Sequence, residues 1–455
     1  MAPFHENNKA SKLPNPDQYN PSFQIEEREK VTLVSIVCDS FKFHQTEKET
    51  LRSLEELKSL LKTLKVSYSE QVHFQKKTKL DAGTILGSGK LLEICNLAKS
   101  EGCSTLVFDF QLSASQMRNI EEITKMKIVD RCNVIFQIFA EHARTREAKI
   151  QIEISRLQYM LPRLTALWTH FTRQKGGIGL KGEGEQQLEL DRRIIKKKVA
   201  GYYKQLEEFK LSKQEQSKKR QEQVIIAALV GYTNAGKSSL MNRLCQVNVL
   251  EENKLFATLD ATYRLLSPDS RPPVVLVDTV GLISNLPAPL IEGFKTTFAS
   301  AQEADLLLIV SDGSDPDVMH HLQTTENTLE EMGLKDRPRF YIFNKKDLIT
   351  DTLKIKLTMN RYQNSFLTST LEKDNMLELR KKVIDYFISL QQQLDIFVPY
   401  EVGNIHALLK KMTNIVSHSS HEKGIFYRLR SPEAVLQRLN LKNFILSPEE
   451  SKNFI

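Results

Sequence analysis

The stretch Val224–Leu240, VIIAALVGYTNAGKSSL, constrains this chain more than any other. Its first seven residues are five aliphatic side chains and two alanines, and they read as a buried strand. Gly231 and Gly236 then bound a short loop. Lys237 and Ser238 follow, with Ser239, Leu240 and Met241 suited to the start of a helix. Strand, glycine-bounded loop and helix N-terminus together make a phosphate-binding loop. The glycines let the backbone of Gly231, Tyr232, Thr233, Asn234, Ala235 and Gly236 turn its N–H groups inward around a phosphate. Lys237 reaches the β- and γ-phosphates, and the Ser238 hydroxyl is placed for Mg²⁺. The helix N-terminus at Ser239 adds positive potential. Taken alone, this loop implies a nucleoside triphosphate and nothing narrower.

Three further segments narrow it. Val274–Val277 reads as a buried strand ending in Asp278-Thr279-Val280-Gly281. Asp278 is placed to hold Mg²⁺ through water, and the Gly281 N–H to contact the γ-phosphate. Phe340–Phe343 reads as a strand ending in Asn344-Lys345-Lys346-Asp347. The Asp347 carboxylate can accept two N–H donors from a guanine edge, an arrangement adenine does not offer, and Lys345 can cover the base plane. Thr368-Ser369-Thr370 stands where the last guanine-contacting loop belongs. Four motifs in order imply GTP, with GDP as product. Between the first two lies the switch segment Leu255–Asp260, in which Phe256, Ala257, Thr258, Leu259 and Asp260 are candidate nucleotide contacts. Thr258 and Thr262 compete as the second Mg²⁺ hydroxyl, engaged only when the γ-phosphate is present.

The rest of the chain sets the context. Its 455 residues suit two to four domains. The polar start, up to about Glu27, reads as a disordered tail without a secretory signal. No apolar run approaches the ~18 residues of a membrane span. The five cysteines are scattered without a C-x-x-C pair, which fits a reduced, cytoplasmic protein with neither disulfide framework nor zinc site. From Val31 to Val129, strand and helix patterns alternate, which argues a small α/β domain. Gly87-Ser88-Gly89-Lys90 lacks the spacing of a second phosphate loop and reads better as a tight turn into a helix. From Asn133 to Leu161, and again from Leu188 to Phe209, apolar residues follow heptad-like spacing. These predict two long helices in an antiparallel hairpin, with Arg173–Gly184 as its tip. That tip holds five glycines between Gly176 and Gly184, and is either a flexible connector or a backbone-rich probe of another polymer. Between Arg192 and Arg220 stand eleven basic residues against three acids, as large an excess as the net charge of +8. Such a stripe suits nucleic acid as well as it suits a solvated helix face.

These residues resemble the HflX family of the Obg–HflX group of P-loop GTPases. The resemblance rests on Gly231-Tyr-Thr-Asn-Ala-Gly-Lys-Ser238, Leu255-Phe-Ala-Thr-Leu-Asp260, Ala143-Arg-Thr-Arg-Glu-Ala148, Leu161-Pro-Arg-Leu164 and Leu188-Glu-Leu-Asp-Arg-Arg193. In the N-terminal part it rests on Ile85-Leu-Gly-Ser-Gly-Lys90, Phe108-Asp109, Gln116-x-Arg118-Asn119 and Asp130-Arg131. It implies a multidomain α/β chain: tail 1–28, N-terminal α/β domain 29–135, helical hairpin 136–222, GTPase domain 223–391 and C-terminal α/β domain 392–455. It places the family's magnesium threonine on Thr258. It also implies a Mg²⁺-dependent, monomeric GTPase that binds the large ribosomal subunit through ribosomal RNA, not DNA, and separates stalled or idle ribosomes. Nothing in the residues supports peripheral membrane association. The tip departs from the family's usual G-T-R-G-P-G-E, reading Gly179-Leu-Lys-Gly-Glu-Gly-Glu185. The position that carries a water-orienting glutamine in Ras-like enzymes is Leu282, so slow intrinsic hydrolysis is expected, with Arg264 the one internal finger to consider.

Overall fold

The computed structural model describes residues 25–451 apart from 27–28, 41–42, 78–79, 164–180, 222–223, 247–255, 257–260, 268–269, 285–289 and 291–298. The chain separates into two compact units. One comprises Met1–Ile138 and Met160–Leu190, the other Phe139–Tyr159 and Asp191–Ile455. The stretch 136–222, expected as one helical domain, is therefore divided between them.

In the first unit, β1 (Lys30–Ser40) pairs in parallel with both β3 (Ser67–Lys77) and β4 (Thr105–Phe108), and β4 with β5 (Lys127–Asp130). A short β2 (Phe43–Gln45) returns antiparallel on the end of β1. The Glu47–Thr63 helix begins at Thr46, whose hydroxyl accepts the Glu49 N–H while the Glu49 carboxylate accepts the Thr46 N–H. Its leucines at 54, 57, 60 and 61 recur at helical spacing and are buried. Gly87 leads with ordinary extended backbone into the Ser88–Ser100 helix, as a turn rather than a phosphate loop. Ser113 caps the Ala114–Thr124 helix in a reciprocal pair with Gln116.

A buried ion network ties this unit together at the ends of β4 and β5. Arg131 is 1% exposed. One of its guanidinium nitrogens donates to Asp109 Oδ1 at 2.8 Å and to the Ser53 carbonyl and hydroxyl at 3.2 Å, and another donates to Glu56. Burial pushes the Asp109 carboxyl up, against the opposing pull of Arg131.

In the second unit, the sheet runs β11 (Ser365–Leu367), β10 (Arg339–Asn344), β9 (Leu306–Asp312), β6 (Ile225–Gly231), β8 (Val274–Asp278), β7 (Thr262–Ser267). All neighbours are parallel except β7 on β8. β6 is buried along its whole length at the centre, as a seven-residue apolar run requires in a covered parallel sheet. A second sheet, β12 (Gln391–Pro399), β14 (Gly424–Pro432), β13 (Asn414–His421), is antiparallel and is covered by the Gly403–Met412 helix. One continuous apolar cluster joins the two sheets, reaching from Ile225 and Leu308 through Val383 and Phe387 to Val398 and Leu429.

The first long helix expected from Asn133 to Leu161 is instead two, Arg131–His142 and Arg146–Met160. The break is chemical: the Thr145 hydroxyl accepts the Ala148 N–H, an N-cap that starts a fresh helix. The second helix runs from Lys181 to Gln221 and already includes Gly182 and Gly184, so that end of the expected tip loop is helical. Residues 173–180 of the tip lie outside the described residues. Glu153–Lys198 at 3.4 Å, Arg146–Gln205 at 3.4 Å and Gln158–Tyr203 at 3.0 Å hold the helices Arg146–Met160 and Lys181–Gln221 together. Among the described residues, no helix is long and apolar enough to cross a membrane.

Arg131→Met takes the guanidinium away from the buried Asp109 carboxylate, which costs about 3–5 kcal/mol. Amide hydrogen exchange of β1 and β4 in the full chain should show the corresponding fall in protection, and Arg131→Met with Asp109→Asn should recover part of it.

Candidate nucleotide site

The site is built where β6 ends. Gly231 has φ 148° and lies against β9 so closely that a methyl group there would sit 2.1 Å from the Val310 carbonyl oxygen. Gly236 is left-handed at φ 88°, and a methyl group there would meet Asn344 Nδ2 at 2.3 Å. Asn234, at φ 59°, is the exposed crest between them. No side chain with a Cβ fits at either glycine without displacing the neighbouring chain. Thr233, Ala235 and Lys237 are buried, while Ser238 and Ser239 are half-buried at the start of the Lys237–Leu244 helix.

The structure brings the separate motifs onto this loop. Ser238 Oγ donates to Asp278 Oδ2 at 2.6 Å, joining the two residues expected at a Mg²⁺ ion. Gly281 is packed so that a methyl group would meet Thr233 Cγ2 at 2.7 Å and Lys237 Nζ at 3.2 Å. Asn344 Nδ2 donates to the Ala235 carbonyl at 3.1 Å, fastening the guanine motif to the phosphate loop. Ser369 Oγ donates to Asp347, and the Lys346 N–H donates to the Thr368 carbonyl at 3.0 Å, so the last loop is fastened to the guanine motif in turn. Thr370 follows, half-buried.

Lys237 Nζ donates inward, to the carbonyls of Gly231 at 3.0 Å and Tyr232 at 2.8 Å. Burial pushes its ammonium down to about 8, against the pull of Asp278. The buried side-chain oxygens Thr233 Oγ1, Asn344 Oδ1 and Thr368 Oγ1 lack a hydrogen-bond partner among the described residues. Buried polar atoms of this kind are costly unless something meets them. All three belong to the motifs gathered here, so the residues fit a bound nucleotide. Among the described residues no group of three His, Cys, Asp or Glu side chains is placed for a metal ion. A Mg²⁺ ion here would rest on the Ser238 hydroxyl, Asp278 and the phosphates themselves.

Several expected residues have other work or lie outside the described residues. The Thr279 hydroxyl donates to the Leu229 carbonyl at 2.7 Å, and the Val280 side chain is buried. Phe256 is buried with its ring 4.4 Å from that of Phe139. Ala257, Thr258, Leu259 and Asp260 lie outside the described residues. Thr262, the competing hydroxyl, opens β7 opposite Asp278. Arg264 is engaged by Asn242 Oδ1 at 2.8 Å. Lys345, left-handed at φ 60°, places Nζ 2.6 Å from Asp312 Oδ2. Sequence reasoning missed Asp312, whose other oxygen accepts the Ser314 N–H at 2.9 Å. The Asp-Gly-Ser-Asp turn after β9 was the available signal.

The chain matches three family profiles: one described as GTP-binding GTPase N-terminal over residues 51–140, one as GTP-binding GTPase middle region over 142–220, and one as 50S ribosome-binding GTPase over 226–345. It is 36% identical over 404 residues to the GTPase HflX of Alkalihalophilus pseudofirmus, covering 89% of this chain and 94% of that protein. It is 33% identical over 422 residues to the GTPase HflX of Caldanaerobacter subterraneus, covering 92% and 95%. The Escherichia coli GTPase HflX is 37% identical over 307 residues, covering 67% and 72%. Among solved structures, a GTP-binding protein of Sulfolobus solfataricus in complex with GDP aligns with 78% of this chain and 99% of its own, at 24% identity and a TM-score of 0.41.

Ser369→Ala removes the hydrogen bond that orients the Asp347 carboxylate. A loss of about 1 kcal/mol is expected, or roughly fivefold weaker GDP binding by calorimetry. Gly236→Ala, which must displace Asn344, should abolish measurable binding in the same assay while the chain remains folded by circular dichroism.

Proposed function

Because the chain belongs to the HflX family of GTPases, we propose that this GTPase binds the large ribosomal subunit in its GTP form and separates stalled or idle ribosomes into subunits. The single observation that carries this reading is the placement of the basic helix. Lys181–Gln221 ends at Gln221, and β6, whose far end is the phosphate loop, begins at Ile225. Lys196, Lys197 and Lys204 on that helix are exposed. Exposed cations on a helix that leads through a short connector into the strand of the phosphate loop are suited to couple RNA contact to nucleotide state. The partner is RNA rather than DNA, and the protein acts as a cytoplasmic monomer.

In this reading Asp347 selects guanine, Lys237 and the loop N–H groups hold the phosphates, and Gly281 and Thr258 respond to the terminal one. Ser238, Thr258 and Asp278 would hold Mg²⁺, which would supply charge neutralisation at the phosphates. Leu282 is 1% exposed and apolar, so no side chain at that position orients the attacking water. Hydrolysis is therefore slow until the ribosome completes the site.

Two measurements test this. Co-sedimentation with large subunits should require a GTP analogue and weaken steeply as salt rises. Lys196→Gln, Lys197→Gln and Lys204→Gln together should lower the salt slope by roughly one for each phosphate that is no longer neutralised. Turnover of GTP should rise by orders of magnitude on adding large subunits, and an unchanged rate would count against the proposal.

A further inference from the structure

The segment after Asp278-Thr-Val-Gly281 is joined to the phosphate loop twice over. At the backbone, the Leu282 N–H donates to the Gly231 carbonyl at 3.0 Å and the Thr233 N–H to the Leu282 carbonyl at 2.8 Å, a parallel bridge between Tyr232 and Leu282. A side chain then repeats the connection. Tyr232 Oη lies 2.7 Å from Ser284 Oγ and accepts the Ser284 N–H, also at 2.7 Å. The Tyr232 ring is 6% exposed and is backed by His321 of the Val318–Glu331 helix, stacked at 3.9 Å and 14°. His321 Nδ1 lies 3.5 Å from Asp315 Oδ2, and Ser284 Oγ is 3.4 Å from His320 Nε2.

A phosphate loop needs its backbone N–H groups, and no aromatic ring, at this position. A buried phenol aimed at one residue on another segment therefore has a separate task. Gly281 is held on one side by Asp278 at the end of β8. On the other side Leu282 is bridged by its main chain to Gly231 and Thr233, and Ser284, two residues further on, is held by the Tyr232 hydroxyl. Between Asp278 and this doubled anchor the Gly281 N–H has little freedom, and Tyr232 supplies the part of the anchor that a side chain makes.

We propose that Tyr232 is a positioning residue for GTP hydrolysis, its hydroxyl holding Ser284 so that the Gly281 N–H stands where the terminal phosphate is met. This rests on the reading that Gly281 faces that phosphate. The GDP-site side chains Lys237, Asn344, Asp347 and Ser369 make their hydrogen bonds to groups other than Ser284.

The test uses the full chain with Tyr232→Phe, Ser284→Ala, their combination, and Gly281→Ala, measuring single-turnover GTP hydrolysis and GDP affinity. Tyr232→Phe keeps the ring on His321 and removes both hydrogen bonds to Ser284. It should slow hydrolysis roughly three- to tenfold, the effect of removing one or two hydrogen bonds. GDP affinity should stay within about twofold. Ser284→Ala, which keeps its N–H, should have a smaller effect, and the double variant should be no slower than Tyr232→Phe alone. An unchanged rate in Tyr232→Phe overturns the proposal. So does an equal fall in rate and GDP affinity, which marks simple support of the loop, and so do additive effects in the double variant. Gly281→Ala hydrolysing normally would instead remove the underlying reading of Gly281.

Discussion

The close approach of β6 to β9 at Gly231, and of the phosphate loop to the guanine motif at Gly236, is the constraint on which the second unit depends. Each is a place where two main chains, or a main chain and an amide, meet with no room for one more carbon. Because Gly236 gives way, Asn344 can reach the Ala235 carbonyl. Because Asn344 is fixed there, the strand ending in it delivers Asp347 in register with Ser369. The guanine reader is thus positioned by a chain of short polar contacts that starts at a glycine in the phosphate loop. A parallel sheet makes this economical, since the carboxyl ends of β6, β8, β9 and β10 all open on one edge.

The first unit solves a comparable problem with charge. There, the edge where β4 and β5 end is closed by Arg131, which reaches Asp109 on the adjoining loop and Ser53 and Glu56 on the covering helix. A guanidinium can satisfy several acceptors in fixed directions at once, which a smaller cation cannot. The result fastens a helix to a sheet edge at the point where, in the second unit, the edge is left open for a ligand.

Much of this was legible in the sequence because the chemistry of phosphate and guanine leaves few choices of residue. Gly231, Gly236, Lys237, Ser238, Asp278, Asn344 and Asp347 were each readable from local spacing. What was not legible depends on pairs distant in sequence. Asp312 beside Lys345, or Tyr232 beside Ser284 and His321, become neighbours only through strand order. The break at Thr145 was hidden for a different reason. Apolar spacing continues across it, and a threonine hydroxyl that turns back on its own backbone does not disturb that rhythm. The core shared by the nucleotide sheet and the C-terminal sheet was likewise invisible to a reading that divides a chain by motif.

Leu282 separates two roles that a single residue often combines. Its main chain bonds to Gly231 and Thr233, which any amino acid other than proline could do, while its side chain is enclosed. A glutamine introduced at this position would keep the backbone bridge and bury its amide, at a cost of roughly 1–3 kcal/mol if the amide finds no hydrogen-bond partner. A substitution at this position therefore changes the stability of the fold as well as the chemistry of the site.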